Sequence, residues 1–296
     1  MEIREARPEE YSTVLGLLFG PLDEDAMKIQ LTDSLNRLRS VEAQRQLLVF
    51  ADDGRVQGAI WLSPMPGRTA LLVGPKTLND DRAAELQLIE SVVERASLGN
   101  TGFVQAVIYG EETELAEQLD SCGFSLAAKL KYLTCLSHAF PKEPPTLSFE
   151  LTPATEFGDR RLKEVVRQTY ADSLDCPLLD GMREMDDVID GYRQTGTHRP
   201  QWWLIAHQGE DLIGCLLVTD HEGQSHCELV YMGVIPEHRG KGFGGQLTEY
   251  ALFLANQAAK GVMVLGVDAN NTPAIAAYQQ LGFGHFDERM VWVRAV

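Results

Sequence analysis

The stretch Val230-Tyr-Met-Gly-Val-Ile-Pro-Glu-His-Arg-Gly-Lys-Gly-Phe-Gly-Gly245 joins an apolar strand pattern to a helix. The turn between them holds Gly240, Gly242, Gly244 and Gly245 with two cations, Arg239 and Lys241. Glycine lets the backbone come close to a ligand and reach conformations closed to residues with a Cβ. The helix opening near Gly242 points unpaired N–H groups and its positive end at the same place. Arg239 and Lys241 add donors for charge-assisted hydrogen bonds. The stretch reads as a cradle for a pyrophosphate.

Working outward, the same order of elements occurs twice. In the first half an apolar strand, Leu71-Leu-Val-Gly-Pro75, precedes a helix over about Asp81 to Ala96, the strand Phe103–Ile108, a short helix around Leu115–Leu119, and Gly123-Phe124. In the second, Tyr231–Pro236 precedes a helix over about Gly244 to Ala259, the strand Val262–Val267, a short helix around Ala274–Tyr278, and Gly282-Phe283. The step from the proline to the closing phenylalanine is 49 residues in one half and 47 in the other, a spacing that argues duplication. Each half opens with an extended segment and helical patterns (Glu9–Leu18 and Leu31–Gln44; Glu156–Ala171 and Met182–Arg193), then a hairpin turning at Asp53-Gly54 or Gly209-Glu210. The expected fold is therefore α/β, a tandem duplication in which each half is a mixed, mainly antiparallel sheet flanked by helices. Prolines crowd His138-Ala-Phe-Pro-Lys-Glu-Pro-Pro-Thr146 and forbid regular structure, so the expected division is 1–137, a linker at 138–147, and 148–296.

The chain of 296 residues is 44% hydrophobic and carries a formal charge of −17. That charge argues against a sequence-independent nucleic-acid binder and against docking on anionic lipid, and it would favour a cationic or amine-bearing substrate. No apolar run approaches the roughly 18 residues of a membrane span, and the charged N-terminus is unlike a signal peptide, so a cytoplasmic location is expected. The five cysteines are widely spaced with no CxxC pair, which fits reduced thiols and no metal.

Gly240-x-Gly242-x-x-Gly245 also matches a dinucleotide fingerprint, with Asp268 at the end of the next strand as the ribose-binding acid. Pro236–Arg239 intervene between strand and glycine, however, and only 51 residues follow Gly245, too few for the usual sheet. A P-loop fits no better, because Lys241 lies between glycines. Residues 228–283 instead resemble the acetyl-CoA-binding core of the GNAT family of acyl-CoA N-acyltransferases. Arg239-Gly-Lys-Gly242-Phe-Gly244 fills the family's pyrophosphate pattern, and Val234-x-Pro236 and Asn271–Phe283 fit as well. The tandem layout resembles the family's two-domain mycothiol synthase subgroup.

The resemblance implies acetyl-CoA as co-substrate, held by Met232, Gly233, Val234, Arg239, Gly240, Lys241, Gly242, Phe243, Gly244, Gly245 and Asn271. It also implies a backbone N–H near Met232 to Val234 for the developing oxyanion. Asn271 is by default a helix cap, and Gly233 is a candidate for a bulge. Attack on a thioester needs a neutral amine, and an alkyl amine with a pKa of ~10 is protonated at neutral pH, so a base is required. Glu228 is the candidate. Alternation along a regular strand would set it on one face with Val230, Met232 and Val234. Asp268, His226, Asp220 and Glu222 are alternatives. Tyr278 is the candidate acid for the departing thiolate, against the plainer reading of a core aromatic.

In the first half the corresponding turn, Gly74-Pro-Lys-Thr-Leu-Asn-Asp-Asp-Arg, lacks the arginine and spaced glycines, and Asp80 and Asp81 would repel a pyrophosphate. Leu119 stands at or near the place of Tyr278. One catalytic site per chain is expected. The function this implies is N-acetyl transfer to the amine of a small molecule or peptide by direct attack in a ternary complex, by a monomer or homodimer. A non-catalytic acyl-CoA-binding or regulatory protein is the alternative, and a dinucleotide-dependent oxidoreductase a third. Segments Tyr170–Asp180 and Gly191–His198 fall where the family binds its acceptor.

Overall fold

A computed structural model describes residues 2–20, 34–35, 38, 40–110 and 113–296. Residues 31–33, 36–37 and 39 of the helical pattern Leu31–Gln44 thus lie outside the described residues. A short helix, Val41–Arg45, closes that pattern. The chain divides into two compact units, residues 1–126 with 291–296, and residues 127–290.

In the first unit, β1 (Glu2–Glu5), β2 (Leu47–Asp52), β3 (Arg55–Met65), β4 (Thr69–Thr77) and β5 (Phe103–Tyr109) lie in sequence order. The first three pairings are antiparallel and β4/β5 is parallel. Helix α1 (Tyr11–Phe19) packs Val14, Leu15 and Leu18 on Leu47, Val49 and Trp61. Helix α2 (Arg82–Ser97) buries Ala84, Leu88, Ile89, Val92, Val93 and Ala96, a stripe at helical spacing. Helix α3 (Thr113–Ser121) follows β5.

The second unit opens inside β6 (Ser125–Leu136), which pairs antiparallel with β11 (Val262–Asp268). Its strand order continues from β11 through β10 (His226–Val234), β9 (Asp211–Asp220) and β8 (Thr197–Gln208) to β7 (Glu150–Pro153). Only β10/β11 is parallel among these pairings. Helices α4 (Asp159–Tyr170) and α5 (Met185–Arg193) cover one face, α6 (Phe243–Gln257) and α7 (Thr272–Gln280) the other. The central strand β9 serves both, sending Cys215 and Leu217 to the first and Leu216 and Val218 to the second.

Both units repeat one device. β4 pairs with β5 only over Thr69–Leu72, and β10 with β11 only over His226–Glu228. Just beyond each last pair the register against the antiparallel neighbour shifts, between Trp61 and Ala59 for β3/β4 and at Leu229/Tyr231 for β10. An extra residue bends a strand away from its ladder, which accounts for the parting of both parallel pairs.

The contact boundary differs from the one expected from the prolines. Residues 138–147 lie inside the second unit, and β12 (Gly284–Ala295) gives its end, Val291–Val296, to the first. Strand pairing decides this. β6 follows the first half's last helix in sequence but finds its ladder on β11, while the Val296 N–H donates to Gly102 O (3.2 Å) in the first unit.

Candidate active site

The site forms where β10 leaves β11. β10 keeps its β9 partner as far as Val234, so from Leu229 onward one edge lacks the β11 ladder. The backbone there is open to an extended ligand that pairs as a strand does. Met232 and Val234 rest their side chains on the core beneath α6, which leaves their backbone as what they offer. Gly233 is not at the bulge, which falls at Leu229/Tyr231. It is glycine because a Cβ would stand 2.5 Å from Thr169 Cβ and Oγ1, at the end of α4.

The glycine loop lies past this edge. Gly240 (φ 74°) and Gly242 (φ 81°) occupy the left-handed region, whereas Gly244 and Gly245 are helical and a Cβ at any of the four would meet nothing within 4 Å. Gly242 is the N-cap of α6 and brings no side chain to the first-turn N–H groups. These donors and the exposed Lys241 fit a pyrophosphate. Phe243 gives the loop only its backbone, since its ring is buried against Phe149 at 5.5 Å between centroids.

The Arg239 side chain is engaged elsewhere. Nε donates to Val234 O (3.0 Å), Nη1 to Asp172 O (2.8 Å), and Nη2 to Thr169 O (3.0 Å) and Ala171 O (2.7 Å), while its backbone N–H donates to Pro236 O. A helix leaves its last carbonyls unpaired, and here a guanidinium from another element collects those around the end of α4.

Glu228 stands at the last position where β10 pairs with β11, half-buried, opposite Thr219 and beside Val264. Its face is not the expected one. Cys227, Leu229, Met232 and Val234 belong to one core face and Tyr231 to the other, because the extra residue reverses the alternation. Glu228 therefore shares its face with Tyr231, on the side covered by α4 and α5. His221 Nε2 lies 3.1 Å from Glu228 Oε2, and its ring stacks on His226 at 4.3 Å. Gly196 makes room for that ring, since a Cβ there would come within 3.1 Å of it. Burial, and then the charge of His221, lower the pKa of His226. His221 escaped the sequence reading because only the β9/β10 register carries it to Glu228.

Of the alternative bases, Asp220 is buried and paired with Arg199 and Lys260. Glu222 lies near Arg199 and Asp220, on the exposed hairpin. Asp268 is buried, accepting from Asn270 N (2.9 Å), Asn270 Nδ2 (3.1 Å) and Cys176 N (3.2 Å), while its own N–H donates to Asp175 Oδ1 (2.8 Å). Asp268 is thus a clasp for the segment after α4, with no oxygen turned to a ribose. Tyr278 is buried beside Phe283, and burial, with the nearby Asp175 charge, raises its pKa. Asn271 caps α7 by accepting from Ala274 N (3.3 Å). On the face covered by α4 and α5, Tyr231 stacks on Tyr192 (5.4 Å) and bonds Thr169 (2.7 Å), and Tyr170 bonds Tyr192 (2.8 Å).

At the corresponding place in the first unit, Asp81 is the N-cap of α2 and its carboxylate accepts from Ala83 N and Ala84 N, both at 3.1 Å. That helix end already holds an anion of its own. Among the described residues no group of His, Cys, Asp and Glu is arranged to hold a metal, and no helix is long and apolar enough to cross a membrane.

Residues 166–283, which hold the parting parallel pair and the uncapped glycine loop, match the Acetyltransferase (GNAT) family. The chain is 28% identical over 106 residues to a mycothiol acetyltransferase of Corynebacterium glutamicum (strain R), covering 34% of this chain and 36% of that protein. It is 33% identical over 89 residues to that of Catenulispora acidiphila, 28% of each chain. The match spans about a third of these relatives' length. Among solved structures, a GCN5-related N-acetyltransferase from Sphaerobacter thermophilus superposes with a TM-score of 0.68 at 14% identity, over 99% of this chain and 95% of that one. A tandem GNAT protein from the clavulanic acid biosynthesis pathway gives 0.53 at 15% identity, over 99% and 98%. At such identities the likeness is one of fold, here the tandem GNAT arrangement.

Proposed function

We propose that the second unit is an acetyl-CoA-dependent N-acetyltransferase acting on the amine of a small molecule or peptide by direct attack in a ternary complex, with a single active site per chain. The observation that carries this reading is the parting of β10 from β11 at Glu228, with an uncapped, glycine-lined helix end beyond it. The N–H groups of Gly240 to Gly245 and Lys241 hold the pyrophosphate, and the open edge of β10 receives the pantetheine arm.

Acetyl-CoA supplies the acetyl group as an activated thioester. Glu228, oriented by His221, accepts the proton of the incoming ammonium directly or through one water, leaving a neutral nitrogen to attack. A backbone N–H of the Met232–Val234 stretch faces the developing oxyanion. Tyr278, kept protonated by its burial, donates its phenolic proton to the sulfur as the C–S bond breaks, and the proton released by the acylated nitrogen restores the phenol. The names of the curated relatives make amines of the mycothiol-precursor kind the first acceptors to try.

The test is coenzyme A thiol release across a panel of amino sugars, small amines and peptide N-termini. Release that saturates with one amine class supports the reading. Tight acetyl-CoA binding in calorimetry without release across the panel would replace it with an acyl-CoA-binding module.

A further inference from the structure

Arg239 occupies the position that the pyrophosphate pattern reserves for a basic residue, yet its side chain is turned away from the glycine loop. It reaches Thr169, Ala171 and Asp172 at the end of α4, and Val234 at the end of β10, through four hydrogen bonds of 2.7 to 3.0 Å. A planar guanidinium can span several carbonyls at once, which a lysine ammonium on a flexible stem does not reproduce.

The segment so gathered is also held further along. Asp175 accepts from the Asp268 N–H at 2.8 Å, and Asp268 accepts from the Cys176 N–H at 3.2 Å. Asp172 and Cys176 adopt left-handed backbone at φ 51° and 47°, strained for residues with a Cβ and in need of such anchors. Thr169 closes the contact by filling the space over Gly233. One end of the segment hangs from the residue that starts the cofactor loop, and the other from the residue that ends β11.

We infer that Arg239 is a positioning residue that straps the segment 169–176, the wall of the acceptor side, to the cofactor loop, so that ligand binding at Gly240–Gly245 rigidifies that wall. This rests on the acyl-CoA reading above. In this role the arginine contributes geometry to the acceptor side, and the phosphates are left to the loop amides and Lys241.

Hydrogen exchange by mass spectrometry and calorimetry with coenzyme A, on the full chain, separate this role from direct phosphate binding. Arg239→Lys keeps the charge and Arg239→Gln removes it. A strap predicts that both variants exchange the amides of 169–176 about tenfold faster than wild type without ligand, and that both bind coenzyme A within about threefold of wild type. It also predicts that coenzyme A slows exchange of this segment in wild type and in neither variant. The proposal is overturned if Arg239→Lys exchanges like wild type, or if Arg239→Gln alone loses affinity by about thirtyfold or more while Arg239→Lys retains it. If wild type itself fails to bind coenzyme A, the acyl-CoA reading falls, and the ligand-free exchange still decides the strap.

Discussion

Glu228 Oε2 lies 3.1 Å from Nε2 of His221, across the hairpin that joins β9 to β10 and at the point where β10 parts from β11. The pairing gives the carboxylate a fixed orientation at the mouth of the opening. Glu228→Gln preserves the shape and removes the proton acceptor, so kcat falls by about 10²- to 10³-fold with KM for acetyl-CoA unchanged. His221→Ala, which frees the carboxylate without deleting it, lowers kcat by about tenfold. Initial rates of thiol release with one amine check both, and wild-type kinetics for Glu228→Gln would remove it from the mechanism.

Tyr278 keeps its proton because burial, aided by the charge of Asp175, raises its pKa above that of an ordinary phenol. Tyr278→Phe is expected to reduce kcat by about 10- to 100-fold while acetyl-CoA affinity, measured by calorimetry, stays within about twofold. Since the phenol of the folded protein ionises only above the usual value near 10, the wild-type rate shows no loss attributable to Tyr278 up to about pH 9.

The two helix ends differ in what fills them, Asp81 at α2 and open space at α6. Calorimetry should therefore find one acetyl-CoA per chain. Gly244→Asp would set a carboxylate in the first turn of α6, near the helix end that Asp81 fills from the N-cap of α2. A Cβ at Gly244 meets nothing within 4 Å and an acid in the first turn suits the helix dipole, so unfolding free energy changes by less than about 0.5 kcal/mol. Acetyl-CoA affinity falls at least a hundredfold. A second binding event in wild type would contradict the single-site reading.

Asp220 is buried between Arg199 and Lys260. Burial opposes its ionisation, but hydrogen bonds and charge from Lys260 and Arg199 prevail and hold its pKa below the usual range. Because the folded value is depressed, the stabilisation is complete above the unfolded value of ~3.9 and is lost as pH falls through the folded one. Asp220→Asn takes the carboxylate from the partly buried Lys260 ammonium, which keeps the carbonyls of His221 and Gln224, and costs about 3 kcal/mol at pH 7. Urea denaturation at pH 7 and pH 3 should show that cost shrinking at the lower pH.

Much of this protein was legible along the chain. The duplication and the glycine loop follow from local patterns, because strand alternation, helical spacing and left-handed glycine depend on near neighbours. Gly240 and Gly242 do adopt positive φ, and α6 does start uncapped. Five points were decided only by tertiary structure. The bulge at Leu229/Tyr231 moves Glu228 to the face of Tyr231, since one extra residue inverts every later side chain. Arg239 finds its carbonyls on α4, about seventy residues earlier in the chain, so its motif position did not disclose its partners. Asp268 turns to Asp175 and Cys176, and His221 reaches Glu228 only through the strand register. β6 pairs with β11 and Val291–Val296 joins the first unit, an exchange of strands that no local signal encodes. Composition and spacing specify which elements form, whereas register and long-range hydrogen bonds depend on where the whole chain places them.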